Sequence, residues 1–200
     1  MRSQTPWCSI LLSAVTAIAS ISASIAIHGV PFSAVVSRDL LTLGAIDSTA
    51  VAAGEWWRLL SCQLVHVRPP HMVFNVLMIV AVGSVVEMSI GALRTLALYW
   101  ASGTAGIAAG LLWAPSLIAS GASQALMGLL AAGIVSRWRG FHVPRWFVPI
   151  AAAVLAVQIA LDLLHAHHVK PGHTIALVVG GLLGHALLPS TVPAEGDRTS

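Results

Sequence analysis

Charge is scarce in this sequence. Ten Lys and Arg with seven Asp and Glu serve 200 residues, a charged share of 8%. A soluble globule commits roughly a quarter of its residues to charge, so a water-facing surface is excluded, and with it a cytosolic enzyme and a disordered chain. Cysteine is nearly absent. Cys8 and Cys62 form no repeated spacing and no metal pattern, which excludes a secreted disulfide scaffold and leaves both read as unpaired. The ten cations are scattered, so nucleic acid finds no basic patch. Asparagine occurs once, at Asn75.

What fills the chain instead is apolar: 57% hydrophobic residues, with a mean hydropathy of +0.87. A helix needs about 20 apolar residues to cross a hydrocarbon core about 30 Å thick. Runs broken by Pro, Gly or charge fall at about 8 to 28, 71 to 91, 93 to 113, 122 to 136, 146 to 165 and 173 to 188. Only helices or closed barrels leave no backbone group unpaired in lipid, and these runs have helical length. The expected architecture is therefore an all-α membrane protein, a six-transmembrane-helix bundle over residues 1–192 with a short disordered tail at 193–200. The first run, from Cys8 to Ile27, carries small residues at Ser22, Ala23 and Ser24 that also fit a signal-peptide cleavage site. Its length exceeds the usual signal core, and the reading retained is a span.

Arg137, Arg139 and Arg145 form the densest basic cluster, between the fourth and fifth runs, and Arg94 lies at the turn between the second and third. Basic short loops face the cytoplasm. Both termini then lie inside, consistent with a bacterial inner membrane, and the long loop at 29–70 is external. There Trp56 and Trp57 beside Arg58 suit the bilayer interface or a lateral contact with another membrane protein.

In this topology the even-numbered runs begin at the external face, and each begins with a polar side chain. His71 and Asn75 are one helical turn apart on one face, and the cost of a polar group in hydrocarbon predicts that both point into the bundle. Ser123 opens the fourth run, whose length from Ala122 to Ser136 is about 22 Å at 1.5 Å per residue. That is short of the core. With its inner end held by Arg137, the run begins below the external surface, so the segment from Pro115 to Gly121 must dip inward and be shielded. His173 opens the sixth run, where Ala176 and Gly180 lie three and seven residues beyond it and form a flat stripe for close approach to the fourth. An imidazole can take the Ser proton and return it to a leaving amine, while His71, Asn75 and backbone N–H groups at the start of the fourth run can hold an oxyanion. Gln124 offers such an N–H. Interhelical hydrogen bonding alone is the bland alternative for His71 and Asn75, and small-residue packing for Ser123.

Taken in order, Trp57 and Arg58; His66, His71 and Asn75; Gly83, Glu87 and Gly91; Gly121 and Ser123; and His173, Ala176 and Gly180 resemble the pattern of the rhomboid intramembrane serine proteases. The resemblance implies a six-helix core, a Ser123–His173 dyad and an oxyanion site from His71, Asn75 and backbone amides. It further implies cleavage of membrane-anchored proteins near the external face without a cofactor, and a structural role for Glu87 far from the chemistry. Two positions depart from the pattern: Gln124 stands where a glycine usually follows the serine, and Met127 where an aromatic ring often packs on the histidine. These leave open a rhomboid-like protein that binds transmembrane segments without cutting them. Asp162 as a third catalytic member, a metal held by His165, His167 and His168, and a small transporter are further alternatives. Substrate identity and oligomeric state are not legible.

Overall fold

The structure is a computed structural model that describes residues 5–164 and 171–190, with side chains described only to residue 160 in the first stretch. Asp162, His165, His167, His168 and the tail at 193–200 lie outside the described side chains. Among the described residues the chain is helical with no strand, and one isolated antiparallel bridge joins Ile46 to Ala119.

Helix α1 spans Trp7–His28, and the first loop folds into short helices α2 (Ser37–Leu40), α3 (Ser48–Ala52) and α4 (Arg58–Ser61) with a 3₁₀ turn at Leu41–Leu43. Then come α5 (Pro69–Ile90), α6 (Ala92–Trp113), α7 (Ser123–Trp138), α8 (Phe147–Leu164) and α9 (Pro171–Leu187). Among the described residues, α1, α5 and α6 are the three helices both long and apolar enough to cross a membrane, and stretches within α8 and α9 are apolar but shorter. The helix boundaries fall within a few residues of the runs expected from hydropathy.

Helix α7 is the centre of the bundle. Nine consecutive residues, Ala125 to Gly133, are buried, which a helix achieves only when neighbours surround it on all sides. Its core partners include Ile79, Val82 and Val86 of α5, Leu98 and Tyr99 of α6 and Phe147 of α8. It is also short. Sixteen residues give it a length of about 24 Å, against about 33 Å for the 22 residues of α5 or α6.

Small residues bring α9 against it. A Cβ added to Gly180 would overlap the backbone of Gly128, and one on Gly184 would lie 2.8 Å from the Cα of Ala132. At the other end, a Cβ on Gly172 would lie 2.6 Å from the carbonyl oxygen of Gly106. The stripe of Gly172, Ala176, Gly180 and Gly184 is thus a line of backbone contact with α6 and α7, with Ala176 itself fully buried.

The shielding required around Pro115 to Gly121 comes from the first loop. Ile46 and Ala119 exchange backbone hydrogen bonds at 3.1 and 2.8 Å, the Ser48 hydroxyl donates to the Pro115 carbonyl at 2.6 Å, and the Gly121 N–H donates to the Cys62 carbonyl at 2.8 Å. At the opposite end, Arg94 donates to the Leu187 carbonyl at 3.1 Å and Arg139 to the Pro189 carbonyl at 3.4 Å. Two of the cations used to assign the inner side therefore sit together at the C-terminal end of α9, where a cation is favoured.

Because the Gly180 contact is backbone against backbone, no side chain can swing away to admit a methyl group. Gly180→Ala is expected to lower unfolding stability in mixed micelles by about 1–3 kcal/mol. An unchanged stability would show that the two helices are not held at this separation.

Candidate active site

Ser123 is the first residue of α7, half-buried, and its hydroxyl lies 3.0 Å from Nε2 of His173 in the first turn of α9. His173 is 6% exposed. The turn that delivers Ser123 needs glycine at residue 121 for two reasons. Its φ of +104° lies in the region side chains avoid, and a Cβ there would press against His71 and His66 at 3.2 and 3.4 Å. The N–H groups of the first turn have no acceptor within the helix and carry the positive end of its dipole. Backbone donors and the Ser123 hydroxyl thus share one helix terminus.

Behind this turn sits His66, 4% exposed, and its hydrogen bonds fix its protonation. The Ser20 hydroxyl donates to the Leu64 carbonyl at 2.9 Å, so at 3.0 Å it accepts from the Nδ1–H of His66. Nε2 must then be a bare acceptor. It faces two donors, the Asn75 side-chain amide at 3.0 Å and the Ala122 N–H at 3.3 Å. Only the neutral Nδ1–H tautomer satisfies all of these groups. Burial, with the neighbouring His71 as a lesser cause, pushes the His66 imidazole down to about 3. Asn75 is fully buried, and its placement beside the residue that precedes Ser123 passes through His66.

A family model of the Rhomboid domain matches residues 53–190. The chain belongs to the rhomboid family. It is 39% identical to the Bacillus subtilis (strain 168) "Rhomboid protease GluP" over 96 residues, covering 48% of this chain and 19% of that protein. It is 35% identical to the Arabidopsis thaliana "RHOMBOID-like protein 4" over 162 residues, covering 76% of this chain and 39% of the relative. Over 162 residues it is 30% identical to "RHOMBOID-like protein 6, mitochondrial" of the same plant, covering 79% and 52%. The chain thus spans between about a fifth and a half of the length of these curated relatives.

The remaining residues of the rhomboid pattern acquire physical roles. Glu87 accepts from the N–H groups of Cys8 and Ser9 at 3.1 and 2.8 Å and from the Ser9 hydroxyl at 2.7 Å, capping the otherwise unpaired N-terminus of α1. Gly83 leaves the room that Ser9 occupies, and Gly91, at φ +86°, turns the chain from α5 into α6. Trp56 and Trp57 are exposed, as an interfacial pair would be. Arg58 is not an outward anchor. Only 14% of its side chain is exposed, and it donates to Glu55 and to the carbonyls of Leu41 and Ala45 while stacking 4.6 Å over Trp57. It stitches the first loop together.

His71 corrects the expectation drawn from helix periodicity. Asn75 points inward, but His71 is exposed, its ring set edge-on to His66 at 5.2 Å between centroids. The reason is its place in the first turn of α5, at the rim of the bundle rather than within it. Gln124 adds a contact that a glycine would lack: its Oε1 lies 3.2 Å from the Ser123 hydroxyl. Met127 is buried in the same core cluster as Ala176. Among the described residues no group of three or more His, Cys, Asp or Glu is placed to hold a metal ion.

Sequence reasoning missed the central place of His66, the part of Ser20, and Gln158, whose amide lies 3.1 Å from Nδ1 of His173. For Gln158 a signal existed. Gln158 and Asp162 are the two polar side chains in an otherwise apolar α8, and a polar group in such a helix marks its inward face.

The depressed His66 value gives stability a pH dependence of definite sign. Between pH about 6.5 and about 3 an unfolded His66 binds a proton that the folded one refuses, so acid favours unfolding. Chemical unfolding of wild type and His66→Gln at a series of pH values should show the wild-type advantage complete above pH about 6.5 and shrinking steadily below it. A constant difference would mean that His66 is not held neutral.

Proposed function

We propose that this rhomboid-family membrane protein is an intramembrane serine endopeptidase in which Ser123 is the nucleophile and His173 the general base. The observation that carries the reading is the 3.0 Å approach of the Ser123 hydroxyl to His173 Nε2 at the N-terminus of a short, encased helix. In this reading α1, α5, α6, α7, α8 and α9 are the six spans. The termini are cytoplasmic, as in a bacterial inner membrane, and the site opens toward the external face. Substrates are membrane-anchored proteins whose helix unwinds to present a peptide bond.

Ser123 Oγ attacks the carbonyl carbon as its proton passes to Nε2 of His173. The developing oxyanion accepts from first-turn N–H groups of α7, Gln124 among them, and from the Asn75 amide and His71 at the rim. The C–N bond then breaks, with the proton delivered from His173 to the departing amine. Water repeats the cycle on the acyl-enzyme, releasing the acid and restoring Ser123. Asn75 suits its part because its amide has two N–H groups and His66 engages one amide donor position.

A second reading, a rhomboid-like protein that binds transmembrane segments without cutting, is favoured by Gln124. Its carbonyl competes with His173 for the one proton on Ser123.

Labelling with a fluorophosphonate serine probe in detergent, alongside cleavage of a membrane-anchored reporter, separates the two. Wild type should label and cleave, and Ser123→Ala and His173→Ala should each lose cleavage by at least about a thousandfold. A wild type that binds the reporter without labelling, and gains labelling as Gln124→Gly, would establish the second reading.

A further inference from the structure

From the 3.1 Å contact between the Gln158 amide and Nδ1 of His173, we infer that Gln158 is the positioning residue that sets the tautomer and orientation of His173. As a positioning role in catalysis this rests on the protease reading, but the tautomer is measurable without turnover. Helix α8 aims the amide by its buried stripe. Phe147, Ala151 and Val154 are 0%, 2% and 8% exposed, and Gln158 is the next residue on that face, one turn beyond Val154.

A neutral imidazole carries one proton. For Nε2 to accept from Ser123 it must be bare, so the proton belongs on Nδ1, where it needs an acceptor. The Gln158 amide, whose nitrogen stands 3.1 Å from Nδ1 in the structure, provides one once it is turned over. Its two ends have the same shape, and a half-turn of the amide exchanges nitrogen for oxygen at the same place, so Oε1 can face the Nδ1–H. The same bond persists when His173 takes the serine proton, because Nδ1 remains a donor in the imidazolium and the amide oxygen then faces a cation. An amide performs this without a charge, which suits a half-buried position in an apolar helix where a carboxylate is costly. Ser123, His173 and Gln158 then form a line through α7, α9 and α8.

The full chain in detergent, as wild type, Gln158→Met and Gln158→Glu, provides the test. Met keeps the length of the side chain without an acceptor, and Glu keeps an acceptor in place. Side-chain ¹⁵N NMR, with His173 assigned by its loss in His173→Ala, should show Nδ1 protonated in wild type and Gln158→Glu, and a mixture of tautomers in Gln158→Met. In reporter cleavage, Gln158→Met should lower kcat roughly tenfold with KM unchanged, and Gln158→Glu should restore most of it. Thermal unfolding of Gln158→Met should match wild type. The same His173 nitrogen spectrum in wild type and Gln158→Met overturns the inference whether or not the protein cleaves. Absence of serine labelling in wild type with the expected spectra would instead overturn the protease reading and leave the tautomer assignment intact.

Discussion

The backbone contact between α7 and α9 is the constraint on which the site depends. Gly128 and Gly180 touch without side chains between them, and the same stripe seats Gly172 against Gly106 of α6. Lipid tails are as apolar as the side chains they would replace, so helices in a bilayer associate through close packing rather than exclusion from water. Here that packing fixes two rotations and one translation. Five residues before Gly128 stands Ser123; seven before Gly180 stands His173. Once the glycines are in register the two functional groups meet, at a separation of 3.0 Å.

The shortness of α7 then sets a second requirement. In the six-span arrangement proposed, a helix of about 24 Å leaves part of a core of about 30 Å to irregular chain, whose N–H and C=O groups have no water to meet. The first loop answers this by donating and accepting through Ile46, Ser48 and Cys62, and it is itself braced by Arg58. His66 closes the arrangement from beneath, joining Ser20 of α1, Asn75 of α5 and the N–H of Ala122 around one ring. Helices α1 and α5 and the end of the first loop are thereby fixed to the turn that carries Ser123.

How much of this was legible follows from what each signal depends on. Helix positions were readable because hydropathy is local, and the Ser123, His173 and Gly180 relationship was readable because spacing along one helix determines its face. The orientation of His71 was not. Periodicity gives direction around an axis but not depth along it, and a first-turn residue at the rim stays exposed while Asn75, one turn deeper, is enclosed. Likewise α2, α3 and α4 are too short to announce themselves; their backbone is held by contacts such as Arg58 to the Ala45 carbonyl, which join separate segments. The centrality of His66 depends on Ser20, 46 residues away, and no local pattern contains it.

The distribution of charge and polarity accounts for the chemistry that this setting permits. Cations gather at the end of the bundle opposite Ser123, where Arg94 and Arg139 meet the C-terminus of α9, and Glu87 is used at the N-terminus of α1. Around Ser123 stand three imidazoles and the amides of Asn75, Gln124 and Gln158. A soluble hydrolase can hold its base with a buried carboxylate, because surrounding dipoles and nearby water offset the cost of burying the charge. Within a bilayer that cost rises, whereas an amide can accept from a ring nitrogen in either protonation state and adds no charge to be buried. A serine–histidine pair flanked by amides therefore suits the acyl transfer proposed for this membrane protein. The charge that appears during the proposed reaction, one oxyanion and one imidazolium, is confined to atoms that already have neutral partners.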